Sequence, residues 1–270
     1  MNNLARRLVT AAVGLVALFV FLYALPSPSF YFFVLAAIGV ASWELFTAIL
    51  GGDRVAVATG ALATVSVSLA LFFLDRQPVV RWIVLAGVPI GALLFFLLRP
   101  KDLARAPARA ATLVFGVLYV AVPLTLLAYL YMPPFGPTWV VLALAVTWVG
   151  DTAAYFVGRA WGKHKMYPAV SPKKTLEGAG GGLAGSVLAA LVFKLWILPE
   201  LSLVDVVLIG VPAAVLEQAG DLCESMIKRG AGVKDSGGIL PGHGGILDRV
   251  DGLLFSAPYV YLYLLAHRLG

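Results

Sequence analysis

The chain has 270 residues, 61% of them hydrophobic and 13% charged, with a mean hydropathy of +0.93 and a formal net charge of +6. A soluble domain is nearer half apolar and a quarter charged, so this composition excludes a soluble globular domain and marks a polytopic membrane protein. In such a chain surplus Lys and Arg mark cytoplasmic loops rather than a nucleic-acid partner, and a single cysteine, Cys223, excludes an internal disulfide.

Apolar runs of about 20 residues cross a hydrocarbon core about 30 Å thick. The sequence predicts nine such helices, at 8–25, 29–50, 55–74, 79–98, 110–131, 138–158, 178–198, 203–221 and 251–268. The first follows Arg6 and Arg7 and resembles a signal peptide. Its apolar run is long and leads straight into the next span, so it reads as a retained helix. The breaks carry turn residues or charge: Pro26-Ser27-Pro28, Gly51-Gly52-Asp53-Arg54, Asp75-Arg76-Gln77-Pro78, Arg99-Pro100-Lys101-Asp102, Met132-Pro133-Pro134 and Pro199-Glu200. The expected organisation is an all-α membrane protein, with a scaffold of about four helices over 1–109 and a catalytic region of about five helices over 110–270. The catalytic region holds polar loops at 159–177 and 222–250. With the N-terminus inside, sixteen of the twenty Lys and Arg residues fall on the cytoplasmic side, which puts both polar loops there. In the scaffold the polar exception is Glu44, which either snorkels to the interface or reaches the polar site.

Three segments carry chemistry. In the sixth span Asp151 lies roughly two turns inside the membrane, where a carboxylate is costly and points to function rather than to a structural Asp–Arg pair. It shares a helix face with Tyr155 and Arg159. Next comes Ser171-Pro172-Lys173-Lys174-Thr175, placed just before a helix start, where backbone N–H groups and lysines together suit an anion. The following helix opens with Gly178, Gly181, Gly182, Gly185 and Ser186, small residues at a spacing that lets membrane helices pack closely.

The third segment, Gly220–Asp251, is the longest polar stretch in the chain. Glu217, Asp221 and Ser225 are spaced by four and line one helix face with oxygen, and Asp248 and Asp251 follow at the start of the last span. Asp221, Asp248 and Asp251 together give a hard cation such as Mg²⁺ the oxygen ligands it takes, with coordination left for water and substrate phosphate. Two ions would clamp both the attacking and leaving oxygens of an in-line displacement. Between the aspartates, Gly244 and Gly245 allow close approach of backbone N–H groups to phosphate oxygens, and His243 reads as a phosphate donor. Lys228, Arg229, Lys234 and Arg249 supply positive charge. The ordinary alternative, ion pairs such as Asp248–Arg249 and Lys228–Asp221, leaves the glycines unexplained.

The run Ser225-Met-Ile-Lys228-Arg229, Lys234-Asp235, Pro241-Gly-His243-Gly-Gly245 and Asp248-Arg249-Val-Asp251 resembles the signature of the phosphatidate cytidylyltransferase (CDP-diacylglycerol synthase) family. Asp151-Thr152, Gly158-Arg159 and Ser171–Thr175 look like that family's other polar segments. The resemblance implies a nucleotidyltransferase that joins CTP to phosphatidic acid, giving CDP-diacylglycerol and pyrophosphate with a divalent metal. It implies metal ligands Asp221, Asp248 and Asp251 with help from Asp151. Lys173, Lys174, Lys228, Arg229, Lys234 and Arg249 would then neutralise the phosphates. The family also implies a homodimer in a bacterial cell membrane, with N-terminus and site cytoplasmic. A CDP-alcohol phosphotransferase would need its aspartates four apart, whereas Asp248 and Asp251 are three apart. A CTP-dependent polyprenol or phytol kinase is the other enzymatic reading. A secondary transporter is the reading from a different class, and the absence of an inverted repeat speaks against it.

Overall fold

A computed structural model describes residues 3–26, 28–74, 78–99, 103–239 and 244–269. Each of the nine expected spans coincides with a helix. They are α1 (Asn3–Phe19, continued by a π-helical turn Val20–Ala24), α2 (Pro28–Leu50), α3 (Arg54–Phe73), α4 (Pro78–Leu97), α5 (Ala106–Tyr129), α6 (Pro137–Trp161), α7 (Leu176–Trp196), α8 (Leu203–Gly230) and, after a one-turn helix α9 (Leu247–Val250), α10 (Leu253–Leu269). Seven of these are long and apolar enough to cross a bilayer, α2 to α8, so the chain is a multi-pass all-α membrane protein. α1 and α10 are each 17 residues long and fall short on length. The expected breaks at 27, 75–77 and 100–102 lie outside the described residues.

Two boundaries differ from the sequence reading. α8 does not stop at 221 but runs 28 residues to Gly230, so the polar run from 222 to 230 is helix rather than loop. Hydropathy ends a span where charge begins, but a helix continues as long as its backbone bonds and side-chain pairs hold. Here Lys228 and Glu224, one turn apart, form an ion pair. The loop before α7 contains an antiparallel hairpin, β1 (Lys165–Tyr167) against β2 (Ser171–Thr175).

The helices group into two units. The first comprises Met1–Thr125 with Asp235–Arg249. Its core is Phe46, Val57, Val67, Leu71, Ala92, Phe96, Leu113 and Val117, all buried. Tyr31 stacks on Phe72 at 3.7 Å, and its hydroxyl sits 3.3 Å from Ser68 Oγ, which is 2.8 Å from Thr125 Oγ1. At the other end of α3, Asp53 caps the helix by accepting the Ala56 N–H at 3.1 Å. The same carboxylate takes Arg99 at 3.1 Å and Arg109 at 2.7 Å, so the chain before α3 and the chain between α4 and α5 meet on one side, as the charge count expects. Each guanidinium also lies over a ring, Arg99 over Phe95 and Arg109 over Phe96.

Burial pushes the Asp53 carboxyl up, but Arg109, the Ala56 N–H and Arg99 outweigh it and hold it at about 2. A carboxyl held below its unfolded value of about 3.9 contributes stability that is full above that pH and lost as pH falls toward the folded value. Thermal melting of the purified chain should therefore lose stability between about pH 4 and pH 2. Asp53→Asn keeps an oxygen for the Ala56 N–H but loses the charge facing Arg99 and Arg109, so it should melt lower at neutral pH by about 1 kcal/mol and should lack this part of the acid limb. An acid limb identical in both proteins would mean that another carboxylate sets it.

The second unit comprises Leu126–Lys234 with Val250–Gly270. α6 and α7 pack closely through the small residues. A Cβ on Gly185 would lie 2.6 Å from Ala153 Cβ, and one on Gly181 2.5 Å from Val157 Cβ. Ser186 Oγ donates to the Val146 carbonyl at 2.6 Å, and Thr147 Oγ1 sits 2.7 Å from Ser256 Oγ, tying α6 to α7 and to α10. Such interhelical bonds average about 0.6 kcal/mol in membranes. At the start of α8, Ser202 and Asp205 form a reciprocal capping box, and Tyr263 of α10 donates to Asp205.

Candidate active site

In the second unit the polar groups gather at one end of α6, α7, α8 and α10. The hairpin delivers β2 into the start of α7. Thr175, buried, caps that helix by accepting the Gly178 N–H at 3.1 Å. Glu177 fastens the approach to β1 by accepting the Lys163 N–H at 3.0 Å, and it sits 2.6 Å from His164 Nδ1. On β2 the two lysines part company. Lys174 is half-buried and pairs with Asp221 of α8 at 2.7 Å, whereas Lys173 is exposed. Ser171 is half-buried at the start of the strand.

Around the Lys174–Asp221 pair lies an excess of carboxylate. Glu217, one turn before Asp221, is buried at 3% exposure, and its Oε2 makes no hydrogen bond among the described residues. Asp151, Asp221 and Asp251 lie within electrostatic reach of Glu217, as does the Lys174 ammonium. Asp251 accepts the Gly252 N–H at 2.8 Å and feels Asp221, Lys228 and Lys174. Of these carboxylates Asp221 takes the Lys174 ammonium directly, while Glu217 and Asp251 feel it from further off. That donor set, all oxygen and short of positive charge, fits a hard divalent cation. Among the described residues no three His, Cys, Asp or Glu side chains form a complete ligand cluster.

What lets α10 approach α8 here is Gly220. A Cβ on it would lie 2.7 Å from the Asp251 carbonyl oxygen and 3.3 Å from Gly252 Cα, both backbone atoms. Gly252 in turn leaves room for Glu217, whose Cγ would be 2.8 Å from a Cβ there. Further along α8, Ser225 donates to Asp221 at 3.3 Å. Lys228 is committed to Glu224, while Arg229 and Lys234 are exposed. On α6, Arg159 donates to Tyr155 at 3.0 Å, as their shared face requires.

In the first unit the glycine-rich segment is built around Asp248. Its carboxylate accepts the Gly245 N–H at 2.8 Å and the Ser236 N–H at 3.2 Å. Gly244 has φ +79°, and a Cβ there would meet Asp248 Oδ2 at 2.7 Å, so only glycine suits this turn. Arg249 is exposed. His243 lies outside the described residues. The sequence reading placed Glu217 on the oxygen-lined face of α8 without making it a ligand, and left Gly220 outside the site. Glu217 had a signal in its i, i+4 relation to Asp221, whereas nothing local distinguishes Gly220 from a packing glycine.

The sequence matches the cytidylyltransferase family over residues 5–267, nearly the whole chain, and the chain belongs to that family. Among its relatives, a Thermotoga maritima protein named phosphatidate cytidylyltransferase is 35% identical over 269 residues, 97% of this chain and 96% of its own length. Proteins of the same name from Bacillus subtilis and Brucella suis are 45% identical over 130 residues and 46% identical over 137 residues. Those matches span 48% of this chain and about half the length of the relatives.

Proposed function

We propose that this chain is a phosphatidate cytidylyltransferase, transferring CMP from CTP to phosphatidic acid. A phosphate oxygen of the lipid attacks the α-phosphorus of CTP, the bond from that phosphorus to the oxygen bridging to the β-phosphorus breaks, and CDP-diacylglycerol and pyrophosphate result. The observation that supports this most is the Lys174–Asp221 ion pair, with Glu217 and Asp251 within its electrostatic reach and Asp151 acting on Glu217. A site for a polyphosphate needs both a cation's ligands and a lysine, and here they occur together.

Asp221 and Asp251, with Asp248 three residues up the chain from Asp251 and help from Asp151, are the proposed ligands of Mg²⁺. When bound, that ion would neutralise charge developing on the phosphoryl oxygens. Magnesium usually takes one or two protein carboxylates and completes its shell with water and substrate phosphate, so an incomplete ligand cluster suits it. Lys174, held by Asp221, sets a fixed positive charge beside the ligands, and Ser225 steadies Asp221. Lys173, Arg229, Lys234 and Arg249 are exposed cations for the nucleotide and lipid phosphates. The N–H groups of Gly245 and Ser236 orient Asp248. The site would face the cytoplasm of a bacterial cell, where CTP is dissolved, and the family resemblance adds a homodimer.

The test is a product assay on the purified chain with labelled CTP and phosphatidate. Formation of a CDP-lipid and pyrophosphate, lost in chelator and restored by Mg²⁺, supports the reading. A phosphorylated alcohol with CDP would make the protein a kinase instead, and no turnover in detergent would favour a transporter. In the same assay Lys173→Ala should raise the KM for CTP or phosphatidate about tenfold, the cost of one charged contact, with expression unchanged. Unchanged KM and kcat would leave Lys173 as a topology determinant only.

A further inference from the structure

Glu44 sits on α2 beside the exposed Trp43, and its own side chain is only 3% exposed. A snorkelling carboxylate would reach water; this one is enclosed by the segment nearly two hundred residues away that carries Asp248. Its Oε2 accepts the Leu247 N–H at 2.9 Å and lies 3.5 Å from the Ser236 hydroxyl. The backbone closes around it: a Cβ on Gly237 would lie 2.3 Å from Oε1, and one on Gly245 would lie 2.4 Å from Oε2. Oε1 makes no hydrogen bond among the described residues and rests against Gly237.

The groups that touch Glu44 are the ones that hold Asp248. Ser236 turns its hydroxyl to Glu44 and its N–H to Asp248. Gly245 packs on Glu44 and gives its N–H to Asp248 at 2.8 Å. Leu247, bonded to Glu44, directly precedes Asp248. One buried acceptor on a scaffold helix thus fixes three backbone positions whose common duty is to aim one carboxylate.

We infer that Glu44 is a positioning residue for the reaction, anchoring the Asp248-bearing segment to α2 through Ser236, Gly245 and Leu247. It rests on the proposed function only in what Asp248 is aimed for; the anchoring itself is independent. Glu44 acts as an acceptor at Oε2, so glutamine, which keeps an oxygen there, preserves the role. Aspartate, one methylene shorter, and alanine do not. A buried hydrogen bond left unmade raises local opening about tenfold, and loss of a group that orients a metal ligand weakens metal use about ten- to a hundredfold.

The experiment uses the full chain in lipid nanodiscs, comparing wild type with Glu44→Ala, Glu44→Asp, Glu44→Gln and Gly237→Ala. Hydrogen exchange without metal reads the amides of Ser236, Gly245 and Leu247. A Mg²⁺ titration of CDP-lipid formation gives the half-saturating concentration. The expected result is exchange about tenfold faster at those amides in Glu44→Ala and Glu44→Asp, a half-saturating Mg²⁺ raised at least about tenfold, and Glu44→Gln close to wild type in both. Gly237→Ala should disturb the same amides, and its effect should not add to that of Glu44→Ala, since both break one contact. Unchanged exchange in Glu44→Ala overturns the inference. So does faster exchange spread evenly through α2 and α3, or an effect in Glu44→Gln equal to that in alanine. A wild-type protein that forms no CDP-lipid would instead sink the functional reading, and the metal-free exchange would still decide the role of Glu44.

Discussion

Asp248→Asn is expected to abolish CDP-lipid formation, by at least about a thousandfold, while the protein inserts and purifies as before. The size follows from what a metal supplies to phosphoryl chemistry: several kcal/mol of charge stabilisation, each 1.36 kcal/mol being tenfold in rate. Retention of fold follows from the local bonding. Asparagine keeps one side-chain oxygen able to accept the Gly245 N–H now bonded at 2.8 Å, so the structural loss is one backbone contact, about 1 kcal/mol. Turnover is measured with labelled CTP at saturating Mg²⁺, and the fold by elution volume and melting. Turnover within tenfold of wild type would remove Asp248 from the ligand set and leave Asp221 and Asp251 to carry it.

The second large effect is steric. Gly220→Leu is expected to separate α8 from the start of α10, where a Cβ would already lie 2.7 Å from the Asp251 carbonyl oxygen and 2.9 Å from the Phe255 ring. Overpacking of this kind costs about 1–3 kcal/mol. Because the displaced atom belongs to the Asp251 backbone, activity should fall further than stability. Gly220→Ala should give a smaller loss in the same direction. Gly180→Ala is the matched control: it sits in α7 with nothing within 4 Å of the added carbon, so the change should be neutral or stabilising by up to about 1 kcal/mol. Equal behaviour of Gly220→Ala and Gly180→Ala would show that α10 has room to move and that the close approach is incidental.

The helices of this protein are legible because a bilayer demands long apolar runs, and Pro, Gly and charge punctuate them. The end of α8 was not legible by the same rule, since Lys228 and Glu224 look like loop charges until they are seen to pair across one turn. The hairpin 165–175 was hidden because a three-residue strand shows no alternation. In the site, the i, i+4 spacing of Glu217, Asp221 and Ser225 could be read directly, as could the promise of Asp248 and Asp251. The partner of Lys174 could not, because β2 and α8 lie almost fifty residues apart in the chain. Glu44 admits two readings from sequence for the same reason: its partners lie 192 and 203 residues away. Asp53 shows the limit most plainly, as an apparent turn residue that joins Arg99 and Arg109 from 46 and 56 residues off.

The length of α8 has a further consequence. Twenty-eight residues at 1.5 Å each make a rod about 42 Å long, while the hydrocarbon layer is about 30 Å thick. Crossing upright, the rod leaves about 12 Å in the headgroup zone, and its charged end from Asp221 to Lys228 identifies which end it is. The helix therefore works as a depth gauge: for a given tilt, the thinner the bilayer, the further Asp221 rises toward the water.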